Sequence, residues 1–264
     1  MKLGFIGLGN MATAMIGSML RDGVVEKKDI CGNSATQTTK QRIKEKLGIE
    51  ICKDNVEVAG KADILFLAVK PANLPGVMAE IKDHMKEDIL VVSVAAGKTI
   101  EYLQQGLGED VKVIRCMPNM PAFVLEGCTA VCGSGNVTVE ELGYVLQLLH
   151  CFGMAEVVPE SLMDVVVGIS GSSPAYVFMF IEAMADAAVA AGMPRKQAYE
   201  FASQAVLGSA KLVLESGMHP GQLKDMICSP GGTTIQAVKV LEEKGMRAAV
   251  MDAVDACIQT SKRL

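Results

Sequence analysis

Lys2-Leu3-Gly4-Phe5-Ile6-Gly7-Leu8-Gly9-Asn10-Met11-Ala12 opens the chain, and Met15, Ile16, Met19 and Leu20 then recur at helical spacing. The apolar run Leu3, Phe5 and Ile6 reads as a buried strand, so Gly7-x-Gly9-x-x-Ala12 falls between a strand and a helix. That context gives the glycine spacing its meaning. Gly7 suits a tight turn, Gly9 lets the backbone approach a pyrophosphate, and Ala12 is small enough for the helix to lie close on the strand. The free N–H groups and positive end of the helix then face the phosphates. Turn glycines with no ligand are the alternative, and the flanking strand and helix favour a dinucleotide.

The next segments read as what such a loop requires. Asp29 to Asn33 is a second strand, and the residue that closes it meets the adenosine ribose in a Rossmann unit. An acidic side chain there bonds the 2′-hydroxyl and repels a 2′-phosphate. This chain has Asn33-Ser34 instead, then Thr36, Thr38, Thr39, Lys40 and Arg42. Neutral donors and two cations accept a phosphate dianion, so NADP(H) is preferred and NAD(H) remains possible. A polar loop that only caps the helix over residues 36–47 is the competing reading. Further apolar strands begin at Ile64, Ile89 and Val111. They end in Ala68-Val69-Lys70-Pro71, Ala95-Ala96-Gly97 and Met117-Pro118-Asn119, which could line one crevice outside the strand ends. Gly and Pro are also ordinary loop punctuation.

Composition narrows the class. The chain has 264 residues, half of them hydrophobic, with no Trp and 17 Met, so the core is aliphatic and Met-filled. A net charge of −5 argues against nucleic acid. No stretch reads as a long uninterrupted membrane span or a signal peptide, which points to a soluble cytoplasmic protein without a membrane partner. The eight cysteines include no C-x-x-C pair and have no histidine at zinc-ligand spacing. They are expected reduced and buried, with no metal site. His84, His150 and His219 are scattered and read as structural.

Residues 127–133 and 154–158 read as the last strands, with a helix over 139–149 between them. Beyond Pro159 the texture changes to long helical runs broken at Gly192-Met193-Pro194, Gly217 to Gly221 and Pro230-Gly231-Gly232. Some, such as 183–191, are apolar on several faces, as helices buried in a subunit interface are. The fold class is therefore α/β, with an N-terminal Rossmann domain over 1–160 and an all-helical domain over 161–264.

Two segments of the second half go beyond folding. One is Ser170-Gly171-Ser172-Ser173-Pro174-Ala175-Tyr176. The other is Ser229-Pro230-Gly231-Gly232-Thr233-Thr234, a hydroxyl-bearing glycine loop that feeds a helix N-terminus. Such a loop suits a small carboxylate, or is simply a cap with Thr233 or Thr234 as N-cap residue. Together with Gly7–Ala12 and Ala68–Pro71, these motifs resemble the pyrroline-5-carboxylate reductase family over nearly the whole chain.

The resemblance implies NAD(P)H as hydride donor, pyrroline-5-carboxylate and L-proline as substrate and product, and a helical dimerisation domain. Homodimers or larger assemblies of dimers follow from it. It assigns the pyrophosphate to Gly7, Leu8, Gly9, Asn10, Met11 and Ala12, the 2′-phosphate to Asn33 and Ser34, and the adenosine side to Asn55. Ala68, Val69, Lys70 and Pro71 would line the cofactor, with Ala95, Ala96 and Gly97 near the nicotinamide. Ser229, Gly231, Gly232, Thr233 and Thr234 would hold the substrate, with Thr234 the catalytic residue nearest the ring nitrogen. The family usually has a smaller residue at Thr233 and often Gly at Ser173. A β-hydroxyacid dehydrogenase shares the two-domain plan but needs a base on the first long helix of its second domain, and 161–193 holds no Lys, Arg or His. A non-catalytic NADP sensor is the other rival.

Overall fold

The computed structural model describes residues 1–263. Among them, eight strands form one sheet: β1 (Leu3–Ile6), β2 (Ile30–Asn33), β3 (Glu50–Ile51), β4 (Ile64–Leu67), β5 (Leu90–Ser93), β6 (Lys112–Met117), β7 (Gly127–Gly133) and β8 (Gly153–Val157). Their order is β3-β2-β1-β4-β5-β6-β7-β8. Strands β3 to β6 run parallel, β7 is antiparallel to β6, and β8 is parallel to β7.

Helices α1 (Asn10–Arg21), α2 (Gln37–Leu47), α3 (Asn55–Lys61), α4 (Leu74–Ile81), α5 (Ile100–Leu107) and α6 (Val139–His150) connect the strands. Both faces of the sheet are covered, which is why β1 and β4 are buried at every position. Side chains alternate between two cores. Phe5, Phe66, Val92 and Ile114 join α1, α2 and α6 on one face. Ile6, Leu65, Leu67 and Val91 join α3, α4 and α5 on the other. Phe5 and Phe66 stack with centroids 4.5 Å apart.

Register sets the site. Ile6 stands opposite both Asn33 of β2 and Leu67 of β4, and Leu67 stands opposite Ser93 of β5. The turns that follow β1, β2, β4 and β5 therefore leave one edge of the sheet at one level. Chain order reverses between β1 and β4, the switch point at which open α/β sheets bind ligands.

The chain divides into two compact units. Met1–Gly171 and the chain from Ile258 form the first, and Ser172–Cys257 the second. The first also holds α7 (Met163–Val166) and a π-helical turn, Val167–Gly171. The second comprises α8 (Ser173–Ala190), α9 (Arg195–Ser216), α10 (Pro220–Ile227), α11 (Thr233–Glu243) and most of α12 (Met246–Ser261). Punctuation ends these helices as expected: Gly217 closes α9 in the left-handed conformation, and His219 Nδ1 caps α10 by accepting from Gly221 N at 3.0 Å.

The helical run Glu160–Ala190 is long and apolar enough to cross a membrane by length and composition. Within its most apolar 18-residue stretch, only 6% is buried within the chain. Glu160, Asp164, the polar stretch Ser170-Gly171-Ser172-Ser173, Glu182 and Asp186 interrupt its apolar sequence.

Candidate active site

The site is built first at the β1–α1 turn. Gly7 has φ +95°, and a Cβ there would stand 2.5 Å from the Ala68 carbonyl oxygen. Only glycine fits so close an approach without strain. Gly7 N donates to the Asn33 carbonyl at 3.0 Å and Ala68 N to the Ile6 carbonyl at 2.8 Å, so the backbone ties the three strand ends together. Gly9 is the N-cap of α1, with no side-chain cap and no acidic residue in the first turn. A Cβ at Gly9 would meet nothing within 4 Å. The helix thus presents unshielded N–H groups beside open space, while Ala12 is fully buried against the sheet.

The end of β2 is more ordered than the sequence suggests. Asn33 is 7% exposed, and its Nδ2 donates to Asn55 Oδ1 at 2.7 Å. Asn55 Nδ2 in turn donates to Glu80 Oε2 of α4, also at 2.7 Å. Asn33 Oδ1 is buried with no hydrogen-bond partner among the described residues. Thr36 accepts from Thr39 N and so caps α2, as the competing reading held, whereas Ser34 is half-buried and is not that cap. Of the two cations, Lys40 Nζ donates to the Lys53 carbonyl at 2.9 Å and Arg42 is exposed.

Beyond β4, Ala68 and Val69 are half-buried, Lys70 is exposed, and Pro71 starts a 3-10 turn. After β5, Ala95 is buried and Gly97 turns the chain with φ +71°. The loop after β6 serves the fold. Asn119 Oδ1 accepts from Cys128 N at 2.9 Å and its Nδ2 donates to the Ser170 carbonyl at 3.0 Å, which ties the loop to the π turn.

Ser229, Gly231, Gly232, Thr233 and Thr234 lie on the second unit as one loop entering α11. Gly232 is the N-cap, with no side-chain cap bond, so neither threonine caps the helix. This overturns the capping alternative: the hydroxyls of Thr233 and Thr234 belong to the first turn of the helix and leave its N–H groups free. A Cβ at Gly232 would stand 2.4 Å from Ser229 Oγ, so the serine hydroxyl packs against the turn. Thr233 is exposed and Thr234 half-buried. On α8, the first long helix of this unit, there is no basic side chain to serve a hydroxyacid dehydrogenase.

Titratable groups elsewhere have structural explanations. Burial pushes the Cys31 thiol up to about 12 and Cys132 up to about 11, and raises Cys116 as well. Glu50, Cys52 and Glu57 bring three ligand-type atoms within 4.8 Å of one another, and Lys61 bonds both carboxylates at 2.6 Å. The sequence reading missed Glu80. Its bond to Asn55 spans 25 residues and two helices, and no local pattern marks it.

Comparison with known proteins agrees with this layout. A family described as pyrroline-5-carboxylate reductase dimerisation matches residues 160–264, and one described as NADP oxidoreductase, coenzyme F420-dependent, matches residues 2–97. The chain is 53% identical over 263 residues to the pyrroline-5-carboxylate reductase of Escherichia coli (strain K12), covering 100% of this chain and 98% of that protein. Among solved structures it resembles the Coxiella burnetii pyrroline-5-carboxylate reductase at 33% identity and TM-score 0.93, covering 99% of this chain and 97% of the other. The Plasmodium falciparum pyrroline carboxylate reductase, solved with NADP bound, matches at 32% identity and TM-score 0.89, with the same coverage of both chains. With a glycine turn and a threonine-bearing loop built as that fold requires, and relatives that align from end to end, this chain belongs to the pyrroline-5-carboxylate reductase family.

Proposed function

We propose that the chain carries hydride from NADPH to the imine carbon of 1-pyrroline-5-carboxylate and releases L-proline, the last step of proline biosynthesis. The observation that carries this reading is the 53% identity to a reductase of that name over the whole chain. The residues present fit a dinucleotide. Gly9 leaves room for a diphosphate at an uncapped helix, β2 ends in a neutral side chain, and a buried Asn33 oxygen lacks a partner. The cofactor, when bound, supplies the hydride. Residues 7–12 would hold its pyrophosphate, Asn33 and Ser34 the 2′ side of its ribose, Asn55 its adenosine side, and 68–71 with 95–97 its remaining length.

The protein's own part is to bind, orient and exclude water. The free N–H groups of the 229–234 loop hold the substrate carboxylate. The imine nitrogen is protonated in solution before binding, which makes the neighbouring carbon electrophilic. Hydride adds to that carbon, the C=N π pair returns to nitrogen, and a neutral secondary amine results. Thr234 Oγ1 accepts a hydrogen bond from the iminium N–H and fixes the face presented. In this reading residues 1–160 serve the cofactor, and 161–264 serve the substrate and dimerisation.

A homodimer in the cytoplasm completes the proposal: a second copy, rather than lipid, covers the apolar face of the run at 160–190. Thr234→Ala tests the assignment. It is expected to bind NADPH normally and to lose about 10- to 100-fold in kcat/KM for the imine, the value of one hydrogen bond to a charged group. Full activity with an unchanged KM would remove Thr234 from the site.

A further inference from the structure

The end of β2 is joined to α4 by two hydrogen bonds in series. Glu80 Oε2 accepts from Asn55 Nδ2, and Asn55 Oδ1 accepts from Asn33 Nδ2, each at 2.7 Å. A carboxylate only accepts, so Glu80 decides which way the Asn55 amide faces, and Asn55 then decides the orientation of Asn33. Asn33 is left with an unpartnered acceptor oxygen, in a side chain more than nine-tenths buried. Its backbone carbonyl accepts from Gly7 N, so this amide sits directly beside the glycine turn.

The consequence concerns the adenosine ribose. Asn33 Oδ1 is sealed from solvent and takes no ligand directly, but the relay turns this oxygen and the Glu80 charge toward the strand end, where a 2′-phosphate dianion is repelled and a neutral 2′-hydroxyl is not. Dinucleotide folds that favour a 2′-hydroxyl place an acid at the end of β2. Here that position is neutral, and the acid arrives from α4 through Asn55. Two 2.7 Å bonds and one amide separate the carboxylate from Asn33, a span inside the Debye length of about 8 Å at physiological salt.

We propose that Glu80 is a specificity-determining residue. Its charge, carried toward the end of β2 by the Asn55–Asn33 relay, weakens binding of a 2′-phosphorylated adenosine ribose and keeps NADH usable beside NADPH. This inference rests on the cofactor site proposed above.

Glu80→Gln tests it, because the glutamine retains an acceptor for Asn55 Nδ2 and loses the charge. The probes are ADP-ribose and 2′-phospho-ADP-ribose, which omit the nicotinamide and need no turnover, with Kd measured by calorimetry. The 2′-phospho ligand is expected to tighten roughly fivefold relative to ADP-ribose, as for one charge acting on a dianion at this range in a water-like medium. That gain should shrink between about 0.15 M and about 1 M salt, where the Debye length falls to roughly 3 Å. The NADH to NADPH ratio of KM should rise with it. Glu80→Ala should show the same charge effect and also weaken ADP-ribose, because the amides are released.

An unchanged ratio in Glu80→Gln, with wild type binding both probes, would remove the inference and leave the cofactor site standing. A looser 2′-phospho ligand would also overturn it, since Glu80 would then be aiming the Asn55 amide at the phosphate. If wild type binds neither probe, the cofactor reading falls and this inference falls with it.

Discussion

A Cβ added at Gly7 would press on the Ala68 carbonyl, whereas one added at Gly9 would meet only open space. The two glycines of one motif therefore make different predictions. Gly7→Ala forces a non-glycine residue to φ +95° and should cost about 1–3 kcal/mol of stability, lowering the thermal midpoint. Gly9→Ala should change stability by less than about 1 kcal/mol, the usual range of an N-cap glycine replaced by alanine. It should still weaken NADPH binding tenfold or more, measured by titration, because the methyl group occupies the space left for the diphosphate. Equal melting loss in both variants would make both glycines structural. These roles can be read from the sequence because the motif is local and bounded by a strand and a helix. Glu80 has no such signal. It reaches the site across 25 residues, by a contact that exists only once α3 and α4 pack on the same face of the sheet.

At the scale of elements, the apolar runs beginning at Leu3, Ile64, Ile89 and Val111 identify buried strands because each is covered on both faces. They carry no information on direction, so the reversal at β7 is a tertiary result, set by pairing such as Arg115 opposite Cys132. The start of α11 shows a similar limit. Thr233 and Thr234 have good capping chemistry, yet Gly232 takes the cap and the threonines move inside the helix.

The ion pairs that bracket β1, β3 and α3 give a pH prediction. The Lys86 ammonium holds Asp63 below its ordinary pKa, Lys2 and then Lys61 hold Glu50 down, and Lys61 holds Glu57 down. For carboxyls depressed in the folded state, the stabilisation is complete above the unfolded value near 4 and is lost as pH falls through the lower folded value. The thermal midpoint should therefore drop below about pH 4, and Lys61→Met should flatten the drop. A Lys61→Met variant with the wild-type acid profile would discount these pairs. Thiol labelling at mild alkaline pH gives a second check. Cys31, Cys116 and Cys132, raised by burial, should react far more slowly than half-buried Cys128 and Cys228.

For the whole molecule, the helical unit leaves Phe178 59% exposed, Met179 69% and Phe201 67%. Apolar exposure on this scale marks an interaction surface. If the homodimer proposed above uses this face, Met179→Asp converts it to monomer in light scattering and lowers the thermal midpoint; an unchanged assembly would place the interface elsewhere. The passage from a stranded first part to a helical second part is readable from the change of texture after Pro159, whereas the packing of 160–171 and of the chain from Ile258 with the first unit is not. The identity of the covering partner is not, because an apolar helix face fits a membrane, a core or another subunit equally well by composition. The central claim is imine reduction, and one assay addresses it: NADPH absorbance with purified protein and pyrroline-5-carboxylate, with proline quantified at the end and a parallel sample given a 3-hydroxy acid and NADP⁺. Loss of NADPH matched mole for mole by proline, with no turnover of the hydroxy acid, is the predicted result. Oxidation of the hydroxy acid with no consumption of NADPH by the imine would contradict it.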